Sequence, residues 1–249
     1  MSKFLIANWK MNPSKEAEAI RLAKASDAGN VVVCPPFLFI EAVSKTLKKA
    51  AVGAQDMFWQ ESGAFTGEIS GKELQSLKVQ SVLIGHSERR ALGETDEMVA
   101  KKVAAAFNQN ITPILCIGET REQRDSGQTM EVVTRQLRTA FSLIPADAGE
   151  EKPLIYIAYE PVWAISTNQD GDPRTATPED AQSVIHYMQG IIRGAPVMPL
   201  FLYGGSVNAD NLGLFLVCPE ISGALVGGAS LKPMEFKKMI RIAKALVGQ

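Results

Sequence analysis

The chain has 249 residues, 46% hydrophobic and 21% charged, with a formal net charge of −1. That is ordinary globular material, and it gives no electrostatic reason to expect nucleic acid or an anionic membrane as partner. No apolar run approaches the roughly 18 residues of a membrane helix, and the three well-separated cysteines and two histidines show no metal-ligand spacing.

Cys34, Cys116 and Cys218 are odd in number, which suits a reduced, cytoplasmic setting. No secretory leader is visible, because Met1-Ser2-Lys3 leads into a short apolar run followed by polar Asn8 and Lys10. In chain order the pattern predicts a strand over 4–7, a helix over 14–26, a strand over 31–34, a helix over 37–49, and strands over 51–53 and 81–84. A helix over 96–108, a strand over 113–116, a helix over 130–143 and a strand over 155–159 follow. The chain then gives a helix over 178–193, strands over 200–203 and 223–226, and a helix over 234–247.

The predicted strands are apolar throughout rather than alternating, as strands buried on both faces are. Eight such units predict an α/β fold, a single (β/α)8 barrel domain over 1–249. An open doubly wound sheet is the less economical alternative, since it leaves two edges. One helix start is strongly marked. Thr177-Pro178-Glu179-Asp180 supplies an N-cap threonine, a proline at the first helical position and acids in the first turn.

A parallel barrel binds ligands at the carboxyl ends of its strands. The polar groups there are Asn8 and Lys10 after the first run, His86 after the fourth and Glu160 after the sixth. Gly204-Gly205-Ser206 and Gly227-Gly228 follow the seventh and eighth. Glu160 precedes Pro161, which disfavours helical geometry there, so it does not read as an ordinary helix cap. It reads as a general base. His86 opens a helix-compatible run, where the helix dipole favours a neutral imidazole able to donate to a carbonyl oxygen. His186 reads as structural. Lys10 is either a solvated surface charge or a fixed cation, on the same side as Asn8 by the two-residue strand period. A lone Gly-Gly is usually a tight turn, but two on adjacent strands point to a phosphate cradle of backbone N–H groups. Base, electrophile, cation and cradle together suit proton abstraction beside a carbonyl in a small phosphorylated sugar, through an enediol.

At these residues the chain resembles the triosephosphate isomerase family nearly from end to end. The carrying segments are Ala7-Asn8-Trp9-Lys10-Met11-Asn12, Gly53-Ala54-Gln55, Gly63-Ala64-Phe65-Thr66-Gly67-Glu68, Ile84-Gly85-His86-Ser87-Glu88-Arg89-Arg90 and Cys116-Ile117-Gly118-Glu119, then Ala158-Tyr159-Glu160-Pro161-Val162-Trp163, Tyr203-Gly204-Gly205-Ser206-Val207 and Val226-Gly227-Gly228-Ala229-Ser230. This family is itself the standard illustration of a glutamate base paired with a neutral histidine under a closing loop.

The resemblance implies interconversion of dihydroxyacetone phosphate and D-glyceraldehyde 3-phosphate, in glycolysis and gluconeogenesis, with no cofactor or metal. It implies Glu160 as proton carrier, His86 as electrophile, and Lys10 with Asn8 for charge, Glu88 supporting Lys10 from behind. Ser206, Gly227 and Gly228 would meet the phosphate, as would Ser166 from the lid. The resemblance also implies a homodimer, in which a loop over about 56–67 brings Thr66 near the partner's site. The apolar Met57-Phe58-Trp59 in that loop is expected to seek burial at such an interface.

The lid departs from the family pattern. Pro161-Val162-Trp163 keeps the first hinge and Arg174-Thr175-Ala176 stands as the second, but the tip between them is longer, and Ser166 occupies a glycine position. Asp170 and Asp172 would repel a phosphate dianion, so they are expected to face solvent. A barrel enzyme for a larger sugar phosphate and a Schiff-base aldolase using Lys10 remain as rival readings. A non-catalytic sugar-phosphate binder is a third, though it has no need of both Glu160 and His86.

Overall fold

In the computed structural model, residues 3–145, 152–165 and 176–246 are described. Eight strands close into a barrel in sequence order: β1 (Phe4–Asn8), β2 (Val31–Cys34), β3 (Ala51–Ala54), β4 (Ser81–Ile84), β5 (Thr112–Ile117), β6 (Leu154–Tyr159), β7 (Met198–Tyr203) and β8 (Gly223–Val226). Every neighbouring pair is parallel, and β8 closes on β1 with Ala7 opposite Val226. All eight carboxyl ends therefore open at one mouth.

The two-residue period divides the apolar side chains into two cores. Ile6, Val32, Cys34, Leu83, Ile114, Cys116, Tyr156, Ala158, Leu202 and Leu225 fill the barrel interior. Their sequence neighbours, among them Leu5, Val31, Val33, Leu115, Ile157 and Val226, face outward into a second core with the helices. Continuing the inward set past the strand ends reaches Asn8 on β1, Glu160 after β6 and Gly227 after β8. The same alternation that packs the barrel thus aims the site.

The surrounding helices are α1 (Glu16–Ser26), α2 (Ile40–Thr46), α3 (Gly71–Ser76), α4 (Ser87–Ala91), α5 (Asp96–Asn108), α6 (Arg121–Asp125), α7 (Thr129–Phe141), α8 (Pro178–Ile191), α9 (Leu212–Leu216) and α10 (Pro233–Ala245). The expected helix over 37–49 divides into a 3-10 turn over Phe37–Phe39 and the shorter α2, because Phe39 sits at φ −116°, ψ 4° between them. The short α3, α4, α6 and α9 are too brief to show a 3.6-residue period, which is why periodicity passed over them. Among the described residues no helix is long and apolar enough to cross a membrane.

The loop after β3 corrects one expectation. Met57 is buried within its own chain. The Phe58 ring lies 4.1 Å from Trp59 and 4.8 Å from Phe65, and the Lys101 ammonium sits 5.2 Å from the Trp59 ring. Much of that loop's apolar surface is therefore satisfied internally. Phe65 remains 43% exposed, and Thr66 is exposed.

Candidate active site

A cavity of about 350 Å³ opens at the carboxyl ends of the strands, lined among others by Asn8, Lys10, His86, Glu160, Ser206, Gly227 and Gly228. The strand-end residues picked out from sequence therefore meet in one place. Glu88, which does not line the cavity, reaches it through Lys10.

His86 is the N-cap of α4, and its Nδ1 accepts the N–H of Glu88 at 3.2 Å. An accepting Nδ1 carries no proton, so the ring's hydrogen resides on Nε2. That nitrogen lies 3.1 Å from Glu160 Oε1. The other Glu160 oxygen accepts the Ser87 N–H at 3.1 Å. Carboxylate and imidazole are both buried and face each other across hydrogen-bonding distance. Beneath them, Cys116 faces the barrel interior; burial pushes its thiol well up, and the Glu160 charge adds to this, so it stays protonated.

Two glycines make room for Glu160. A Cβ on Gly204 would lie 2.8 Å from Glu160 Cγ, and one on Gly118 only 1.7 Å from the Glu160 carbonyl oxygen. Glu160 N donates to Ile117 O at 2.7 Å, continuing the β5–β6 ladder one residue past the strand.

Lys10 has a left-handed backbone, φ +53°, unusual for a residue with a side chain. The surroundings hold it there. Its N–H donates to Asn8 Oδ1 at 3.0 Å, and its carbonyl accepts from Gln55 Nε2 at 2.7 Å. Its ammonium is 2.6 Å from Glu88 Oε1. Gln55 also bonds Cys34 O at 3.0 Å, so one amide ties together the ends of β1, β2 and β3.

Gly227 begins a bend into a 3-10 turn over Gly228–Leu231, and a Cβ on Gly227 would meet Lys10 Cε at 3.5 Å. On β7's side, the Ser206 N–H and hydroxyl both point to Ala164 O, at 3.3 and 2.8 Å. Offering that N–H to a phosphate therefore requires the Ala164 contact to be exchanged for the ligand.

The segment Pro161-Val162-Trp163, expected as the first hinge, is tightly held. Glu119 is fully buried and accepts from the Trp163 indole at 2.9 Å and from the Tyr159 hydroxyl at 3.1 Å. Its backbone carbonyl accepts the Val162 N–H at 3.1 Å. Burial and the Glu119 charge push the Tyr159 phenol up, which keeps it a donor. Pro161 and Ala164 are buried, and so is Ala176 where the described chain resumes. Ser166, Arg174 and Thr175 lie outside the described residues, as do Asp170 and Asp172.

Sequence reading assigned no role to Arg124, which bridges both ends of this loop. Its guanidinium lies 4.7 Å from the Trp163 ring centre and 2.8 Å from Asp180 at the start of α8. The signal for it existed only in three dimensions. Asp180 forms a capping box with Thr177, the expected N-cap. Burial alone raises its pKa, but the Thr177 N–H, Arg124 and the Thr177 hydroxyl outweigh this and hold it below the ordinary value. A depressed carboxylate stabilises the fold fully above its unfolded pKa near 4 and loses that contribution as pH falls through the lower folded value. Asp180→Asn is expected to cost about 1 kcal/mol at neutral pH. Thermal melts from pH 7 downward check this. The gap from the parent should shrink only below about pH 4, and a gap that stays constant through that range contradicts it.

A triosephosphate isomerase family model matches residues 3–243 of this chain. The chain is 43% identical over 253 residues to the triosephosphate isomerase of Dictyoglomus thermophilum, covering 96% of this chain and 98% of that one. It is 44% identical to that of Alkaliphilus oremlandii, covering 96% and 99%, and 42% identical to that of Moorella thermoacetica, covering 95% and 96%.

Proposed function

The chain belongs to the triosephosphate isomerase family, and on that premise we propose how it interconverts dihydroxyacetone phosphate and D-glyceraldehyde 3-phosphate. Glu160 takes a proton from the carbon beside the substrate carbonyl. The electron pair moves into the new carbon–carbon double bond, and the carbonyl oxygen gains the charge. His86 Nε2–H gives its proton to that oxygen, which makes the enediol, and the bared nitrogen takes the proton of the neighbouring hydroxyl, so the ring ends as it began. Glu160, now protonated, returns the proton to the adjacent carbon. The observation that carries this reading is the 3.1 Å approach of His86 Nε2 to Glu160 Oε1 at the cavity wall. Base and electrophile thereby stand together at one wall of the cavity, where both can reach neighbouring atoms of one small substrate.

Lys10, held by Asn8 and backed by Glu88, places a cation where the anionic substrate and the enediolate both benefit. Gly227, Gly228 and Ser206 form the phosphate cradle, with Ser166 added from the lid that turns on Pro161-Val162-Trp163 and Arg174-Thr175-Ala176. The assembly is one domain over 1–249, working in the cytoplasm as a homodimer. Met11 is 92% exposed, Leu92 81% and Phe65 43%, and apolar side chains so exposed support burial against a second copy.

The test is isomerisation in deuterium oxide. A proton removed and returned by Glu160 exchanges with solvent, so product is expected to carry deuterium at the carbon beside the carbonyl. An intramolecular hydride shift gives product without it, and that result removes Glu160 from the role of base.

A further inference from the structure

The peptide leading into His86 is held by buried charge. Lys102 on α5 is 2% exposed, bonds the Glu94 carboxylate, and lies 2.6 Å from Asp56 Oδ1. Arg89 closes the group with Nη2 2.8 Å from Asp56 Oδ2. Two carboxylates meet two cations, so the cluster is neutral. Glu94 uses its second oxygen elsewhere, accepting the Gly85 N–H at 3.0 Å. Arg90 Nε donates to the Gly85 carbonyl at 2.8 Å, while its Nη1 lies 2.5 Å from Asp96 Oδ1. Gly85 therefore has both its backbone groups in bonds to charged side chains, and it sits at φ +73°, just before His86.

We propose that Glu94 and Arg90 are positioning residues for His86, fixing the left-handed Gly85 so that the following imidazole meets the substrate oxygen at the right angle. The proposal rests on the reading of His86 as the electrophile. Lys102 and Asp56 serve it by holding Glu94 in place. Nothing in the packing of α5 requires ions here, since a buried ion pair contributes little net stability over an apolar pair of similar volume. The bond from Glu94 to Gly85 has the larger consequence. Gly85 tolerates several backbone settings, and a donor moved by about an ångström at a reacting centre loses about a hundredfold in rate. A plain anchor for the loop that begins at Asp56 would leave the chemistry untouched.

The test compares two double variants of the full chain, Glu94→Leu with Lys102→Met and Glu94→Gln with Lys102→Met. Both remove the ion pair and keep the volume, and Asp56 keeps Arg89. Only the glutamine double retains an acceptor for the Gly85 N–H. The leucine double is expected to lose about tenfold to a hundredfold in kcat, with KM within about threefold of the parent, and the glutamine double to stay near the parent. Equal kcat in the two folded doubles, high or low, overturns the proposal. Arg90→Met gives an independent reading should the doubles fail to fold. Asp96 keeps Arg135 at 3.0 Å, so an unchanged kcat there also overturns it. His86→Gln in the same assay separates the failures: if it keeps the parental kcat, the role of His86 itself is lost, whereas if it alone falls, only the clamp is lost.

Discussion

Glu160→Gln is expected to lower kcat by about 10²–10⁴-fold while KM changes by less than about threefold, read in a coupled isomerase assay beside the parent. The substitution preserves size and removes only basicity. The amide oxygen can still lie beside His86 Nε2, as Oε1 does now at 3.1 Å. The amide nitrogen then faces the Ser87 N–H, where Oε2 now accepts at 3.1 Å, and donor meets donor. That mismatch costs about 1–3 kcal/mol, small enough for a barrel of this size to remain folded. Lost activity with a retained melt therefore isolates the proton-transfer role. A glutamine variant that turns over as fast as the parent would falsify the mechanism. It would also revive the reading of this pocket as a sugar-phosphate binder.

The sequence carries the barrel and the aim of the site unequally. The strands are legible because burial on both faces leaves each an apolar run, and β2, β4 and β8 begin and end where the pattern predicts. Asn8, Lys10, His86 and Glu160 follow from asking which polar groups stand just after each apolar run. Glu119, Gln55, Arg124 and the Glu94 cluster do not. Each acts by joining segments far apart in the chain: Gln55 reaches Lys10 and Cys34, and Arg124 reaches Asp180. No local period announces such bonds. The loop after β3 misleads for a related reason, because Met57 is apolar in a loop yet finds its burial inside its own chain. The resemblance placed Gly118 in a motif. Only the distance between strands explains why nothing larger stands there.

Gly118→Ala is accordingly expected to harm both stability and rate. Its Cβ would lie 1.7 Å from the Glu160 carbonyl oxygen and 2.5 Å from the carbonyl carbon, so backbone has to move rather than a side chain. Gly118 cannot readily yield. The Gln136 amide on α7 holds it at both ends, accepting its N–H at 2.9 Å and donating to its carbonyl at 3.1 Å. The end of β6 must give way instead, and it carries the base. Overpacking of this kind costs about 3 kcal/mol, which for a chain of this length lowers the melting temperature by about 6–12 °C. A displacement of Glu160 by about an ångström removes about a hundredfold in kcat. Adding Gln136→Ala frees Gly118's segment to shift. Part of the lost kcat should then return even as stability falls further. If the single variant melts within about 2 °C of the parent, the close approach of β5 and β6 is not what demands glycine. If kcat falls and Gln136→Ala restores none of it, the harm does not run through the position of Glu160.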